Sequence, residues 1–100
     1  MKKEYINEVA WIKIYSFLKG SKKVYVAKSK NFLEAVYWLM RTGSQWRELH
    51  EAYGKWNTHY KRYNAWSKKG VFDDLLTFCA QDSDLEYISI DATIVRAHAC

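Results

Sequence analysis

Proline is missing from the 100-residue sequence, so helix ends must be set by glycine and by capping side chains. Each of the four glycines follows an amphipathic stretch, which is typical of glycines at helix C-termini. These glycines are Gly20, Gly43, Gly54 and Gly70. Cysteine is also scarce. Cys79 and Cys100 cannot build a disulfide framework, and without a second motif they do not indicate a metal or redox pair. This usage fits a reducing cytoplasm, where we expect the protein to reside.

Long apolar runs are missing too. None approaches the roughly 20 residues that span a membrane, so we expect no membrane partner. The opening stretch MKKEYINEV carries Glu4 and Glu8 where a secretory signal needs an apolar run, and it therefore predicts no such signal. Yet 49% of the residues are hydrophobic and 17% are aromatic, which argues against disorder and favours one domain with a buried core.

Acidic residues are scarce in residues 1–72. This part carries 15 of the 16 Lys and Arg residues against five acids, a balance of +10, whereas residues 73–100 carry one Arg against six acids, a balance of −5. So clean a split indicates two tasks. A basic part attracts polyanions through counterion release, so nucleic acid is the first partner to consider. A solvated lysine-rich surface is the alternative.

Apolar residues at three- and four-residue steps predict five helices. Their approximate ranges are 5–19, 30–42, 45–50, 56–69 and 71–80. Asn7 is the predicted cap of the first helix, and Ser29 or Asn31 that of the second. Ser44 is the predicted cap of the third, with Glu48 completing a capping box. The short third helix, a turn with Gly and the longer fourth helix match the outline of a helix-turn-helix.

The fourth helix combines an aromatic face with a basic one. Its predicted anchors to the core are Trp56, Tyr60, Tyr63 and either Trp66 or Ser67. No acid occurs from Gly54 to Phe72, although surface helices normally mix both signs. Arg62 suits guanine and Asn64 suits adenine, while lysines at the helix ends suit phosphates. The predicted DNA-binding residues are Lys55, Thr58, Lys61, Arg62, Asn64, Lys68 and Lys69. An exposed helix with chance lysines is the alternative.

Two further segments have open interpretations. The run GSKKVYVAKSK, residues 20–30, is a basic linker that is either a mobile solvated segment or a DNA contact. The run LEYISI, residues 85–90, predicts a strand and leads to Asp91. A carboxylate on a rigid strand is a ligand of the kind that Mg²⁺ prefers, but a two-metal site needs about three carboxylates. A residue that simply ends the strand and meets water is the alternative.

Three stretches carry a resemblance to a known family: LMRTGSQWRELHEAYGKW, YKRYNAWSKKGVF and IDATIVRAHAC. From Trp11 to Cys100 the chain resembles the N-terminal half of bacterial insertion-sequence transposases, in the group named after insertion sequence 5. It departs from them at Ser44 or Gln45, where the family usually has Pro, and at residues 20–30, where the family has a segment resembling Gly-Arg-Pro.

The resemblance implies a mainly α fold: a helix-turn-helix-like DNA-binding domain, residues 1–81, followed at 82–100 by the first strand of a truncated ribonuclease-H-like catalytic domain. It implies binding to double-stranded DNA at the element's terminal inverted repeats. Asp91 falls where the family has the first acid of its Asp, Asp, Glu triad, which holds Mg²⁺ in the full-length enzyme. The other two acids would lie further on, so this chain alone is expected neither to bind the metal nor to cut DNA.

A 100-residue product fits the first of two overlapping reading frames or a decayed gene copy. Such a product could form homo-oligomers, or it could associate with full-length transposase and inhibit it. Two other functions stay open: a small helix-turn-helix transcription regulator, and a helical protein-interaction module that uses the many Trp and Tyr residues. A transcription regulator would bind a promoter operator, whereas a transposase would bind the ends of its element. A protein-interaction module would show no salt-sensitive affinity for DNA.

Overall fold

Four α-helices dominate the computed structural model, which describes residues 4–24 and 26–89. Helix α1 spans Glu8–Ser21, α2 spans Ser29–Thr42, α3 spans Trp56–Lys68 and α4 spans Val71–Ala80. Two 3-10 turns, Trp46–Glu48 and Glu51–Tyr53, lie between α2 and α3, and residues 86–89 form a last helical turn. The described ranges contain no β-strand. The predicted mainly α class is therefore confirmed for this part of the chain.

Capping side chains and glycines set several of the helix ends. The Asn7 side chain accepts a hydrogen bond from the backbone N–H of Ala10 at 2.8 Å, which confirms the predicted cap of α1. Gly43 ends α2 in the left-handed region at φ 71°, where a glycine meets no steric penalty. Gly20, however, lies inside α1, and the left-handed residue that ends this helix is Lys22. The prediction for Gly20 is thus wrong.

The start of α2 also differs from its prediction. Its N-cap is Lys28, which has a left-handed backbone and makes no side-chain capping bond. The Ser29 hydroxyl donates to the Val26 carbonyl at 2.6 Å, and the Asn31 amide donates to the Tyr53 carbonyl at 2.8 Å. Both side chains therefore join neighbouring segments to α2 instead of capping it.

Helix α2 runs through the centre of the fold. Seven of its residues are buried, including the unbroken run from Phe32 to Tyr37, so most of the helix circumference is covered there. On one side the Phe32 ring meets the edge of Trp66 of α3 at a centroid distance of 4.9 Å. Helix α1 contributes Ala10, Ile14 and Leu18, at four-residue steps, to the same core as α4. Helix α4 packs directly on both α1 and α3, so residues of all four helices share one core.

The helix predicted over 45–50 is only a 3-10 turn at Trp46–Glu48. The capping box is present, but it uses Gln45 instead of Ser44: the Gln45 backbone N–H donates to Glu48 Oε1 at 2.8 Å. Leu49 then leaves the helical region at ψ 129°, which stops the turn after its three residues. Because α3 is preceded by two 3-10 turns, a helix-turn-helix pair is not confirmed.

The strand predicted over 85–90 is wrong in its described part, because residues 86–89 are helical. The Ile88 N–H donates to the Leu85 carbonyl at 3.1 Å, and no described strand is available to pair with this segment. A three-residue step lets Leu85 and Ile88 bury together in the core, which a strand's two-residue period would not allow. The Tyr87 hydroxyl donates to the Tyr5 carbonyl at 3.2 Å and fastens this turn to the N-terminal segment. The domain boundary predicted at residue 81 stays a prediction.

Candidate nucleic-acid interface

The outer face of α3 is a row of polar side chains. Asn57, Lys61, Asn64 and Lys68 follow one another at steps of four, three and four residues, and all are exposed. Residues at such steps lie above one another on one side of a helix. Thr58, from the predicted set, is exposed beside this row in the first turn. The structure thus brings together most of the predicted contact residues on a surface about 16 Å long, since each helical residue rises about 1.5 Å.

The inner face of α3 is aromatic, broadly as predicted. Trp66 is buried, and Trp56 and Tyr63 are half-buried, so these three anchor the helix. Tyr60 is 41% exposed and lies at the edge of the face, where its ring centroid is 5.6 Å from that of Trp46. The fourth anchor, His59, was not among the predicted ones. Its position three residues after Trp56 and seven before Trp66 is the signal that places it on the buried face.

His59 ties the start of α3 to the loop before it. Its Nε2 lies 2.7 Å from the Tyr53 carbonyl oxygen, which can only accept, so Nε2 carries the proton. The same carbonyl accepts from the Asn31 amide of α2. One buried oxygen therefore joins α2, the second 3-10 turn and α3, and this junction fixes where the exposed row begins.

Arg62 and Lys69 do not point freely outward. Arg62 is half-buried, its Nη1 donates to the Ala27 carbonyl at 3.0 Å, and its guanidinium lies 5.4 Å from the Phe32 ring centroid. Lys69 Nζ donates to the Lys23 carbonyl at 3.1 Å. Both residues therefore contact the segment between α1 and α2, which is the predicted basic linker. An Arg62 held in this way has fewer donors available for a guanine edge.

Three cations of the candidate interface have no acidic partner among the described residues. Lys55, Lys61 and Lys68 form no ion pair with any described residue. Elsewhere the described lysines are often neutralised: Lys13, for example, contacts the carboxylates of Asp82 and Asp84 at 2.9 and 2.7 Å. The helix also begins without a side-chain cap or an acid in its first turn, so the positive end of its dipole is left uncompensated. The positive potential on this side is therefore not cancelled locally.

A magnesium site receives no support from the described residues. Asp91, the predicted catalytic and metal-binding acid, lies outside them. No group of three or more His, Cys, Asp or Glu side chains within 4–24 and 26–89 could hold a metal ion. Asp82 and Asp84, which precede it in sequence, are committed to Lys13. The metal and catalytic assignments of Asp91 therefore stay predictions.

No helix in the described ranges has the length and apolar character that a bilayer span requires.

Comparisons with known proteins agree with the family resemblance. Residues 6–76 match the family described as "Putative transposase of IS4/5 family (DUF4096)". The chain is also 40% identical over 96 residues to a protein of Sinorhizobium fredii (strain NBRC 101917 / NGR234) named "Uncharacterized protein y4sN". That alignment covers 93% of this chain and 77% of the relative. No solved structure matches the chain.

Proposed function

The chain belongs to the IS4/5 transposase family, and we propose that it binds the terminal inverted repeats of an insertion sequence through the outer face of α3. The observation that supports this proposal is the exposed row on α3, where Lys61 and Lys68 have no acidic partner among the described residues. A row of uncompensated cations on a rigid helix is suited to a regular array of phosphates.

Roles within the row follow from position. Lys61 and Lys68 lie two helical turns apart and would contact phosphates, as would Lys55 at the start of the helix. Asn64 lies between them, and its amide can pair with the donor and acceptor edge of adenine. Thr58, in the first turn, can reach a phosphate or a thymine methyl group. We do not assign Arg62 a base contact, because its guanidinium already donates to the Ala27 carbonyl and lies over the Phe32 ring.

A binding assay with two duplexes tests the proposal. One duplex carries a terminal inverted repeat of the element, the other carries the same bases in scrambled order, and affinity is measured by fluorescence anisotropy over a series of salt concentrations. We expect tighter binding to the repeat. Lys61→Gln and Lys68→Gln should each weaken binding to both duplexes and lower the slope of log affinity against log salt by about 0.9. Asn64→Ala should instead reduce the preference for the repeat.

Lys13→Gln is the charge-matched control. It removes the same charge from a lysine that two carboxylates already neutralise, so the salt slope should stay the same. Equal binding to both duplexes would refute recognition of the repeats. A salt slope that neither α3 lysine changes would refute the role of the helix. A promoter operator that outcompetes the repeat would favour a transcription regulator.

The described residues provide no evidence for catalysis. The part of Asp91 in the Mg²⁺ site of a full-length enzyme, self-association, binding to a full-length transposase and a cytoplasmic location all stay predictions.

A further inference from the structure

The segment that joins α1 to α2, residues 22–28, has a left-handed lysine at each end. Lys22 has φ 61° and Lys28 has φ 60°, and they are the only described residues other than glycine with positive φ. A side chain disfavours this backbone region, where glycine is the usual residue. Outliers of this kind are retained where the surroundings hold them, and they are often functional. Here both retained side chains are exposed lysines.

Contacts from α3 hold this segment, which we call the α1–α2 connection. Arg62 binds the carbonyl of Ala27, and Lys69 binds the carbonyl of Lys23. A third contact comes from Ser29, whose hydroxyl donates to the Val26 carbonyl. Lys23 and Ala27 of the connection thus lie beside α3.

The lysines of the connection differ in whether an acidic side chain pairs with them. Lys23 faces Asp74 at 3.4 Å in an exposed ion pair, and such pairs contribute little. Lys30, which follows the connection in α2, faces Glu34 and Glu4. Lys22 and Lys28 have no acidic partner among the described residues. The two left-handed lysines are therefore also the two uncompensated ones.

These observations together lead to a more specific hypothesis, which rests on the proposed function. We infer that Lys22 and Lys28 of the α1–α2 connection are additional phosphate contacts for duplex DNA, and that Arg62 and Lys69 are positioning residues that hold them beside α3. The duplex then meets one surface built from two elements of the fold. Arg62 acts through the Ala27 carbonyl and the Phe32 ring, without touching the DNA.

Glycine variants test the two contacts without disturbing the backbone. Gly adopts positive φ without strain, so Lys22→Gly and Lys28→Gly keep the connection in place and remove only the side chains. In the double variant we expect affinity for both duplexes to fall and the salt slope to decrease by about 1.8, at 0.9 for each lost contact. The preference for the repeat over the scrambled duplex should stay the same, because phosphates carry no sequence information.

A double-mutant cycle tests the positioning role. Arg62→Ala should weaken binding in the otherwise native chain, but it should have little additional effect when Lys22 and Lys28 are already glycine. A purely structural role of Arg62 would weaken binding equally in both backgrounds and would overturn this part of the inference. Thermal melting of each variant shows whether the fold is intact, and Arg62→Lys, which keeps a charged donor group, should restore part of the affinity.

The outcomes separate this inference from the proposed function. If Lys61→Gln lowers the salt slope and the double glycine variant does not, the connection makes no contact and the inference fails alone. If neither variant changes the slope, both proposals fail. If only the glycine variant changes it, binding does not use α3, and both the proposed function of the helix and the shared surface are refuted.

Discussion

Glu34 offers the most direct test of the packing, because it is a carboxylate with 1% of its surface exposed in the centre of α2. Its Oε1 accepts from the backbone N–H of Tyr5 at 2.7 Å and from that of Ile6 at 3.2 Å, and its Oε2 lies 3.3 Å from Lys30 Nζ. These contacts join the segment before α1 to the central helix. A buried charge of this kind is stable only when its hydrogen bonds are complete.

Glu34→Gln keeps the shape and removes the charge. The two backbone bonds become bonds to a neutral acceptor, and the new amide places its own donors beside the Lys30 ammonium. Hydrogen bonds to charged groups contribute about 1.5–3 kcal/mol against about 1 for neutral ones, and a buried donor without a partner costs about 1–3 kcal/mol. We therefore expect a loss of at least about 2 kcal/mol in the free energy of unfolding. The melting temperature should fall by at least about 8 °C in a domain of this size.

Urea unfolding followed by tryptophan fluorescence measures the loss. The matched control is Glu4→Gln, the same chemical change at a side chain that is 62% exposed and 3.7 Å from Lys30. Exposed pairs contribute little, so this variant should stay within about 0.5 kcal/mol of the native chain. If Glu34→Gln were as stable as Glu4→Gln, Glu34 would not link the N-terminal segment to α2, and the burial argument would be refuted.

Three other predictions concern stability and ionisation. Lys28→Gly should raise the free energy of unfolding by about 0.5–1 kcal/mol in urea melts, since a left-handed L-residue costs about 1–2 kcal/mol and glycine loses about 0.5–1 in entropy; the same variant is expected to weaken DNA binding. Burial, aided by the charge of Asp82, raises the pKa of the Cys79 thiol from 9.0 to about 11. The unfolded thiol ionises first, so stability should fall by about 2 kcal/mol between pH 9 and 11, and Cys79→Ala should remove that part of the slope in unfolding experiments. The hydrogen bond from Lys13 lowers the pKa of Asp82, so Lys13→Met should raise that pKa in a carboxyl-carbon NMR titration. In the native chain the stability that this pair contributes is present above the ordinary pKa of Asp82 and is lost as the pH falls through its lowered value.

The positions of the helices were largely predictable because local signals mark them. The bounds of α2, Ser29–Thr42, differ by one residue from the predicted range, since an apolar stripe precedes a glycine that ends the helix. The end of α1 was less predictable. Gly20 has the residue type of a helix terminator, but Lys22 is the residue that adopts the left-handed conformation. That choice depends on the path to α2 and on contacts from α3, which no local pattern contains.

The last described turn shows how tertiary contacts override propensity. The β-branched and aromatic residues of 85–90 favour a strand, but a strand needs a partner, and the described part of the chain provides none. A helical turn satisfies the backbone internally and buries Leu85 and Ile88 against α1 and α4. Sequence alone could not weigh these options, because the availability of a neighbouring strand is a property of the whole fold.

Within the candidate interface, the exposed row was more predictable than the roles of individual cations. Helical periodicity places Lys61 and Lys68 on the outer face, and the structure agrees. The same periodicity predicts that Arg62 is exposed like these two lysines. Its guanidinium instead donates to the carbonyl of Ala27, 35 residues earlier. A long flexible side chain at the border of a helix face can turn either way. Only the position of the neighbouring segment decides which way it turns.

The fold therefore decides which positive charges of the sequence are left without a carboxylate partner. A balance of +10 in residues 1–72 suggests a uniformly basic body, but Lys13, Lys23 and Lys30 are each opposed by carboxylates of the protein itself. The lysines that have no acidic partner within residues 4–24 and 26–89 include those on α3 and those at the two ends of the α1–α2 connection. Counterion release depends on phosphates neutralised at one surface and not on total charge. The steepness of the salt dependence should consequently follow the residues of this surface, while removing an equal charge at Lys13 should leave it unchanged.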